Sequence, residues 1–523
     1  MQIVITTSGI GSRLGELTKN TNKCLVRLGD KFVIDYIINN YINKDVEFLF
    51  TIGYKGDYVK QYIDIVYKNK IKYKFIHIDL FDGPGSSLGY SLLKVKDYIT
   101  GPFIFHCNDS IIYENINIEN INTNTLFLYN ENDSTQYASV NINNKIISKI
   151  NEKGELNFDY IYIGVAYIFN YNLFFDILEK LYIKNSMNTS LSDIHVYDIL
   201  LKQKYIIEYK IIDKYCDIGN IEKYNKSSKI FKAKYNILQK NDESISFINN
   251  KVIKFFKDTQ INNKRVERTK YIPSKLIPEI YNYSDNYFSM KLINGTILSE
   301  YYSEHLINDL LDFMFMHLWN TSFIDKNFKT DCYKFYYNKT IDRINKGFNL
   351  NIINDYNIIN GVKIGNIMEL INQIDFNKLC LDNPTLFHGD FILDNILITN
   401  KQEYILIDWR QDFQDNLKYG DMYYDLAKLR HNLQFNHKNI DNNLFNLKHI
   451  TEESCIIDMK CNFYLMKQLE KFDNYILNKN LNLKKIKILN ALIWINMSSL
   501  HCYPLSNFLF NLGKYTLYNE FKS

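Results

Sequence analysis

Residues 2–26 read QIVITTSGIGSRLGELTKNTNKCLV and join an apolar segment to a loop that carries glycines and basic side chains. The segment QIVIT is rich in β-branched residues and predicts a strand. Gly9 and Gly11 follow where the chain leaves that strand, and Arg13 and Lys23 come after them. Glycines let the backbone approach an anion, and basic side chains compensate phosphate charge. The pattern favours a phosphate-binding loop, although a tight turn between strand and helix would explain the two glycines by themselves.

The composition is that of a globular protein with more than one domain. The chain has 523 residues, of which 46% are hydrophobic and 23% charged, so two or three domains are expected. The net charge is +4, and no basic run favours nucleic acid as a partner. No run approaches the roughly 18 apolar residues of a membrane span. The chain begins without signal-peptide features and its eight cysteines form no CxxC pair, so we expect reduced thiols and a cytoplasmic location.

Short β-branched runs alternate with helical stretches over residues 1–230. The predicted strands are QIVIT, EFLFTIGY, KYKFIHI, PFIFHCND, YIYIGVAYIF and YIIEYKII. The stretches VIDYIINNYI and SLLKVKDYI predict helices between them. This alternation is typical of an α/β domain with a largely parallel sheet that is covered on both faces.

The pattern changes after a polar, proline-free stretch that begins at Lys223 and is the candidate linker. We predict a linker over residues 231–243 and a second domain over residues 244–523. The segment SISFINNKVIKFFKD predicts a two-stranded hairpin with Asn-Asn at its turn. A predicted helix, NNKRVERTKYI, and a predicted strand, NYFSMKLING, follow, and the remainder is predicted to be mostly helical. This order of elements indicates the α+β class.

Further motifs continue the N-terminal pattern in order along the chain. DGPGSSLGYSL, residues 82–92, is a second glycine-bearing loop, and FIFHCND ends a predicted strand at Asp109. NEKG covers residues 151–154, and CDIGN places Asp217 in a D-x-G context. Either aspartate alone could be a turn residue at the end of a strand. Together with GxGSRL and the lysine that follows, these motifs resemble the sugar-nucleotide pyrophosphorylases and the related phosphocholine cytidylyltransferases.

The resemblance implies a Rossmann-like (GT-A-like) nucleotidyltransferase fold over the first 230 residues. In this family a substrate phosphate attacks the α-phosphorus of a nucleoside triphosphate, and pyrophosphate leaves. Two carboxylates can hold Mg²⁺ while basic side chains neutralise the triphosphate. The residues implied are Arg13 and Lys23 for catalysis, Gly9, Gly11, Ser12, Gly85, Ser86 and Ser87 for the nucleotide, Glu152 and Lys153 for the substrate, and Asp109 and Asp217 for the metal.

The chain departs from the family pattern around the first loop. It has Thr7-Ser8-Gly9 where Ala-Ala-Gly is usual, and Glu16 and Asn22 stand where the family commonly has proline. These departures leave open whether the nucleotide is CTP, a uridine nucleotide or another nucleoside triphosphate.

Residues 388–395 read HGDFILDN, and the next apolar strand ends at Asp408 in YILIDW. Protein kinases place a catalytic Asp and a magnesium-binding Asn at the spacing of Asp390 and Asn395, and a second metal-binding Asp follows a strand. With YGDMYYDLAKL, residues 419–429, this form resembles the aminoglycoside phosphotransferase and choline kinase group. The resemblance implies a bilobal protein-kinase-like fold, in which Asp390 accepts a proton from, or orients, the substrate hydroxyl.

In the same resemblance, Asn395 and Asp408 hold Mg²⁺. His388 is expected to brace the loop through hydrogen bonds, since a lone histidine is most often a satisfied buried side chain. Lys254 lies mid-strand, where the fold places a lysine that binds the phosphates of ATP, and Glu267 in the next helix would orient it. A solvent-facing lysine is the alternative for Lys254.

A kinase joined to a nucleotidyltransferase indicates two consecutive steps. We expect one half to phosphorylate a small hydroxylated substrate with ATP, and the other to transfer a nucleotidyl group onto the resulting phosphate, both with Mg²⁺. The product would be an NDP-activated donor for surface polysaccharide synthesis, with a sugar phosphate slightly preferred as intermediate. Choline or another amino-alcohol with CTP is the alternative, and a non-catalytic regulatory role for one domain is a further one.

Overall fold

The structure is a computed structural model, and it describes residues 1–119, 121–235, 237, 240 and 242–522. The chain forms two compact units. One contains residues 1–262 and 280–291, and the other contains residues 263–279 and 292–523. None of the helices in the described ranges has the length and apolar character that a membrane crossing requires.

The first unit contains seventeen strands in the described residues. They are β1 Gln2–Thr6, β2 Arg27–Leu28, β3 Lys31–Phe32, β4 Glu47–Ile52, β5 Lys72–His77, β6 Phe103–Cys107, β7 Ser110–Ile112, β8 Asn124–Tyr129, β9 Ser139–Asn143, β10 Ile146–Asn151, β11 Tyr160–Ile168, β12 Ile207–Ile212, β13 Tyr215–Asp217, β14 Glu243–Ile248, β15 Lys251–Phe256, β16 Ile280–Tyr283 and β17 Tyr287–Lys291.

Helices cover the main sheet of this unit and connect its strands. They are α1 Glu16–Lys19, α2 Val33–Asn39, α3 Gly56–Tyr67, α4 Leu88–Leu93, α5 Tyr171–Lys184, α6 Ile194–Lys202, α7 Ile221–Ile230 and α8 Thr259–Arg268, of which the last residues belong to the second unit.

The main sheet is mixed rather than wholly parallel. Strands β5, β4, β1 and β6 run parallel in that order, and β11 adds to β6 in the antiparallel direction. The predicted strands of the first 230 residues are all present, and residues such as Ile3 and Val4 are buried on opposite faces. Because β1 and β6 are parallel neighbours, their carboxyl ends lie at one edge of the sheet. The first glycine loop and Asp109 both follow that edge.

A separate sheet of four strands, in the order β14-β15-β17-β16, shares the core of the first unit. The ring of Phe255 lies 4.9 Å from that of Tyr58 in α3, and the ring of Tyr287 lies 5.9 Å from that of Tyr62. Gln61 in the same helix donates to Asn286 Oδ1 at 3.1 Å. The predicted hairpin is present, and its turn residues Asn249 and Asn250 have φ of 50° and 58°, as a type I′ turn requires.

The predicted linker does not coincide with the boundary between the two units. Residues 236, 238, 239 and 241 of the range 231–243 lie outside the described residues. The polar stretch that begins at Lys223 was expected to be linker, but it forms α7 as far as Ile230. Two of its residues are held against the first unit, because Tyr224 Oη donates to Arg27 O at 2.8 Å and Ser227 Oγ donates to Asp217 O at 3.0 Å.

The second unit is mostly helical, as expected. Its helices are α9 Leu306–His317, α10 Phe328–Tyr333, α11 Lys339–Asn349, α12 Ile367–Ile371, α13 Phe376–Leu379, α14 Met422–Gln434, α15 His437–Asp441, α16 Phe463–Asn478, α17 Leu483–Ser498 and α18 Leu505–Lys522. Its strands are β18 Gly295–Ile297, β19 Ile358–Ile359, β20 Val362–Lys363, β21 Ile396–Thr399, β22 Tyr404–Leu406, β23 Phe445–Thr451 and β24 Ser454–Met459. The hairpin of β23 and β24 was not predicted.

The shared core predicts that a substitution in β15 destabilises the first unit. Phe255 is 3% exposed, and replacing a buried Phe by Ala costs about 3–5 kcal/mol. We expect Phe255→Ala to lower both the melting temperature and the temperature at which the pyrophosphate-releasing activity expected from the resemblance is lost. Tyr283→Ala in the same sheet is the control, because Tyr283 is 66% exposed. Unchanged heat resistance of that activity in Phe255→Ala would contradict the shared core.

Candidate active sites

The first glycine loop is held in place by buried polar side chains. Ser8 Oγ lies 3.2 Å from Ser91 Oγ in α4. This contact connects the first glycine loop to the helix that follows the second glycine loop. Asn22 is fully buried, and its Nδ2 donates to Thr7 O at 2.8 Å and to Tyr54 O at 2.7 Å. Asn22 thus fixes the loop through hydrogen bonds at a position where the family commonly has proline.

The residues expected to bind the nucleotide line two turns. In the first turn Gly11 has φ of 69°, while Gly9, Ser12 and Arg13 are exposed. In the second turn Ser86 Oγ donates to Gly83 O at 2.7 Å, and Ser87 Oγ accepts from Tyr90 N at 3.0 Å. Gly85 is buried.

Lys23 and Asp109 form an ion pair at the carboxyl edge of the sheet. Lys23 Nζ lies 2.6 Å from Asp109 Oδ2, and the two side chains are 10% and 20% exposed. Burial raises the pKa of Asp109, but Lys23, Cys107 and Arg13 together outweigh that effect and hold the pKa well below its usual value. Asp109 is therefore ionised at neutral pH, as a metal ligand must be.

Asp217 has two partners that were not predicted. Lys223 Nζ in α7 lies 2.7 Å from Asp217 Oδ2, and Tyr137 Oη donates to the same oxygen at 2.8 Å. Lys223 Nζ also lies 3.8 Å from the centroid of the Tyr137 ring. Burial and the nearby carboxylate raise the pKa of Tyr137 well above its usual value, so its hydroxyl stays a donor to Asp217.

The two carboxylates of the first unit border one small space. A methyl group on Gly219 would lie 2.9 Å from Asp217 Oδ1 and 3.5 Å from Asp109 Oδ2. Oxygen ligands at such a position suit Mg²⁺, which binds through one or two carboxylates and completes its coordination with water and substrate phosphates. This arrangement fits the absence, among the described residues, of any cluster of three His, Cys, Asp or Glu side chains that could hold a metal.

Glu152 and Lys153, predicted to contact the substrate, are both exposed beyond the end of β10. Glu152 Oε1 lies 4.0 Å from His195 Nε2 and its side chain is 86% exposed. Their role in substrate binding stays a prediction.

In the second unit, His388 connects the HGD loop to the segment that follows β22. Its Nδ1 accepts from Asp390 N at 3.2 Å, and its Nε2 donates to Ile407 O at 2.9 Å. Burial lowers the pKa of His388 to about 4, so the ring is neutral at pH 7 and can serve as donor and acceptor at once. Its backbone carbonyl accepts from Arg410 N at 3.0 Å.

Asp425 in α14 holds the same loop from the other side. Its carboxylate accepts from His388 N and Gly389 N, both at 2.7 Å, and from Trp319 Nε1 at 3.2 Å. Burial raises the pKa of Asp425 to about 6 despite these donors. Gly389 has φ of 89°, and a side-chain carbon there would lie 2.5 Å from Arg410 Cβ. Only glycine fits this position without a shift of the neighbouring chain.

Asp390 contacts both Asn395 and a lysine that sequence reasoning missed. Asn395 Nδ2 donates to Asp390 Oδ2 at 3.0 Å, so the amide oxygen of Asn395 is the atom that could bind a cation. Lys428 Nζ lies 2.8 Å from Asp390 Oδ1. Burial raises the pKa of Asp390, but Lys428 and His388 together outweigh that effect and lower the pKa to about 2.

Asp408 follows β22 in the left-handed conformation, with φ of 58°. Such a conformation is uncommon for Asp and is found often at functional sites. Arg265 in α8 forms an ion pair with Asp408. The end of β22 is connected to the HGD loop, because Ile407 N donates to Asn395 O at 2.9 Å.

Arg268, also in α8, is fully buried and binds four backbone carbonyls of the second unit. It donates to Phe387 O at 2.6 Å, Leu417 O at 3.1 Å, His388 O at 3.2 Å and Arg410 O. The planar guanidinium carries five donors in a fixed arrangement, so it can bind several carbonyl oxygens at once. Burial lowers the pKa of Arg268 to about 9, so the side chain stays charged at neutral pH.

Lys254 and Glu267 lie in different units. Lys254 is buried in the middle of β15, with 5% exposure, so the alternative of a solvent-facing lysine is excluded. Glu267 Oε2 lies 2.6 Å from Lys270 Nζ in the same helix. The roles of Lys254 toward ATP and of Glu267 toward Lys254 stay predictions.

The residues that sequence reasoning missed are cations and hydroxyls that hold the predicted carboxylates. One of them could have been identified from the local sequence. Lys428 follows Asp425 by three positions in DLAKL, so the two residues share one face of the helix. Tyr137 and Asp217 are 80 positions apart, and no short-range pattern connects them.

Two family models match separate segments of the chain. Residues 2–234 match the model described as nucleotidyl transferase, and residues 369–439 match the phosphotransferase enzyme family. The chain joins a nucleotidyl transferase domain to a phosphotransferase-family domain. The first match contains Asp109 and Asp217, and the second contains Asp390, Asn395 and Asp408. The predicted pairing of transferase- and kinase-type enzyme domains and the predicted fold class are confirmed.

The individual relatives described next each match less than half of the chain. A bifunctional protein GlmU from Methanococcus aeolicus is 31% identical over 222 residues, which are 42% of this chain and 51% of that protein. The chain thus spans about half the length of this curated relative. Solved structures with similarity include a CTP:phosphocholine cytidylyltransferase from Streptococcus pneumoniae, at 20% identity and TM-score 0.39, covering 44% of this chain and 99% of that one. An inositol-1-phosphate CTP transferase from T. maritima has 18% identity and TM-score 0.36, with 44% and 95% covered.

The four carbonyl contacts of Arg268 predict that lysine cannot replace it. A lysine ammonium has three donors at one point, so it cannot reach carbonyls from separate segments. We expect Arg268→Lys to lower the melting temperature and to reduce ATP-dependent phosphorylation about tenfold or more, since a buried carbonyl without a donor costs about 1–3 kcal/mol. Pyrophosphate release should be unaffected. Gln260→Ala, at an exposed position of the same helix, is the control. Wild-type kinase activity in Arg268→Lys would contradict the role of the four carbonyl contacts of Arg268.

Proposed function

We propose that the chain is a bifunctional enzyme that phosphorylates a small hydroxylated substrate and then couples the phosphate to a nucleotide. The observation that carries this proposal is the presence of two separate carboxylate sites, each inside a segment that matches a phosphoryl- or nucleotidyl-transferring family. Both sites have the predicted acidic residues with basic partners. This favours catalysis in both domains over the alternative that one domain has a non-catalytic regulatory role.

In the kinase reaction, the substrate hydroxyl oxygen attacks the γ-phosphorus of ATP and the bond to ADP breaks. Asp390 accepts the hydroxyl proton, since the ion pair with Lys428 keeps its carboxylate ionised and fixed. Asn395 and Asp408 are the residues that would hold Mg²⁺, which when bound neutralises charge on the transferred phosphoryl group. Asp425 and Arg268 fix the loop that presents Asp390.

In the transfer reaction, an oxygen of the phosphorylated substrate attacks the α-phosphorus of a nucleoside triphosphate, and pyrophosphate leaves. No protein nucleophile is needed, because the attacking phosphate is already ionised. Asp109 and Asp217 would hold Mg²⁺ beside Gly219, and the two glycine turns would receive the nucleotide with Arg13. Lys23 and Lys223 hold the carboxylates in position before the nucleotide arrives.

The product would be a nucleoside diphosphate linked to the acceptor. A sugar phosphate or small phospho-alcohol is the proposed intermediate, and the use of the product in surface polysaccharide synthesis stays a prediction. Pyrophosphate release with each of four nucleoside triphosphates and a panel of phosphorylated acceptors would identify the base.

The first test of the proposal addresses the transfer site. We expect Asp217→Asn to reduce pyrophosphate release about a hundredfold or more, because losing one electrostatic partner of the reacting phosphates has that effect in other enzymes. ADP release in the kinase reaction should stay at the wild-type rate. Asp57→Asn, at a position that is 85% exposed, is the control. Pyrophosphate release at the wild-type rate in Asp217→Asn would remove the metal assignment.

The second test addresses the kinase site. Asp390→Asn should reduce ADP release about a hundredfold or more, since general-base catalysis contributes about 10²–10⁴. Transfer onto an acceptor that is supplied already phosphorylated should continue, which separates the two sites. Asp342→Asn, at an exposed position in α11, is the matched control. Loss of both activities in a folded Asp390→Asn protein would contradict independent sites.

A further inference from the structure

Basic side chains from three segments gather around Lys339, which also interacts electrostatically with Asp390. Lys339 and Arg343 are one helical turn apart on α11 and share a face of that helix. Arg410 follows Asp408 by two positions, and Lys428 comes from α14. Only Lys428 was needed above to explain how Asp390 is held.

Ring contacts show that Lys339 and Arg410 lie close together. Lys339 Nζ is 3.9 Å from the centroid of the Phe335 ring, and the Arg410 guanidinium is 5.0 Å from the centroid of the same ring. Lys339 Nζ is also 5.5 Å from the centroid of the Tyr424 ring. Burial lowers the pKa of Lys339 well below its usual value, and the charges of Arg410, Lys428 and Arg343 lower it further.

The cluster has more positive charge than the surrounding residues compensate. In the part of the chain that the structure describes, Lys428 pairs with Asp390, whereas no carboxylate lies within 4.0 Å of the charged atoms of Lys339, Arg343 or Arg410. Holding several desolvated like charges together is costly. A bound anion would relieve this repulsion, and it would lie beside the group that receives the substrate hydroxyl proton.

We infer that Lys339, Arg343 and Arg410 bind an anionic group of the kinase substrate. The acceptor is then an alcohol that also carries a carboxylate or a phosphate, with its hydroxyl at Asp390. This inference rests on the proposed kinase function and narrows its substrate class. It disfavours choline, because the faces of Phe335 and Tyr424 that could hold a quaternary ammonium already face a protein cation.

Matched acceptors test the charge requirement in the full-length protein. ADP release is measured with glycerate, glycerol 3-phosphate, glycerol and choline, which differ in charge at similar size. We expect kcat/KM to be about tenfold or more higher for an anionic compound than for glycerol or choline, and the two anionic compounds distinguish a carboxylate from a phosphate. A preference for choline or glycerol would overturn the inference while leaving the kinase function intact.

Variants separate acceptor binding from ATP binding. Lys339→Met and Arg343→Gln should each raise the KM for the anionic acceptor about tenfold or more, with the KM for ATP within about twofold of wild type. Lys346→Met, at an exposed position of the same helix, should change neither value. An increase in the KM for ATP alone would show that the cluster serves the nucleotide, and would overturn the inference.

Equilibrium binding of inorganic phosphate gives a readout that does not need catalysis. Phosphate should raise the melting temperature of the wild-type protein and of Lys346→Met more than that of Lys339→Met or Arg343→Gln. Equal stabilisation of all four proteins would overturn the anion site. Loss of stabilisation in the two variants, without phosphorylation of any acceptor, would support the anion site and count against the proposed kinase reaction.

Discussion

Charge compensation of half-buried carboxylates is the constraint on which both candidate sites depend. An ionised carboxylate removed from water is costly unless a cation or hydrogen-bond donors compensate it. For the carboxylates of both candidate sites the structure supplies that cation from another element of the same unit. The pairs are Lys23–Asp109 at 2.6 Å, Lys223–Asp217 at 2.7 Å, Lys428–Asp390 at 2.8 Å and Arg265–Asp408. These contacts compensate the charge of the four carboxylates and hold their side chains in place.

The sequence predicted the acids and Lys23, but it did not predict Lys223, Lys428 or Arg265 as their partners. Motifs such as HGDFILDN and CDIGN are local, so Asp390 and Asp217 could be identified from a few neighbouring residues. Lys223 lay in a polar stretch that was interpreted as linker, because its helix has few apolar residues. The contacts of Arg268 with residues 119–149 positions away depend on tertiary folding, which no short-range pattern records. Strand positions were predicted well because period-2 and β-branched patterns are also local.

The small sheet of β14 to β17 changes how the chain is divided. Sequence resemblance assigned it to the phosphotransferase half, yet its Phe255 and Tyr287 lie in the core of the first unit with helix α3. A protein cut within residues 231–243 would expose that apolar surface, so experiments on either activity are best made with the whole chain. The anionic-acceptor inference is independent of this point, because its cations all belong to the second unit.

Binding of Mn²⁺ in place of Mg²⁺, followed by electron paramagnetic resonance in the presence of nucleotide, measures the two sites directly. Two nucleotide-dependent Mn²⁺ sites are expected in the wild-type protein. Asp217→Asn should remove one of them and Asp408→Asn the other, each without effect on the site that is left. A single site, or the loss of both sites through one substitution, would contradict two independent carboxylate centres.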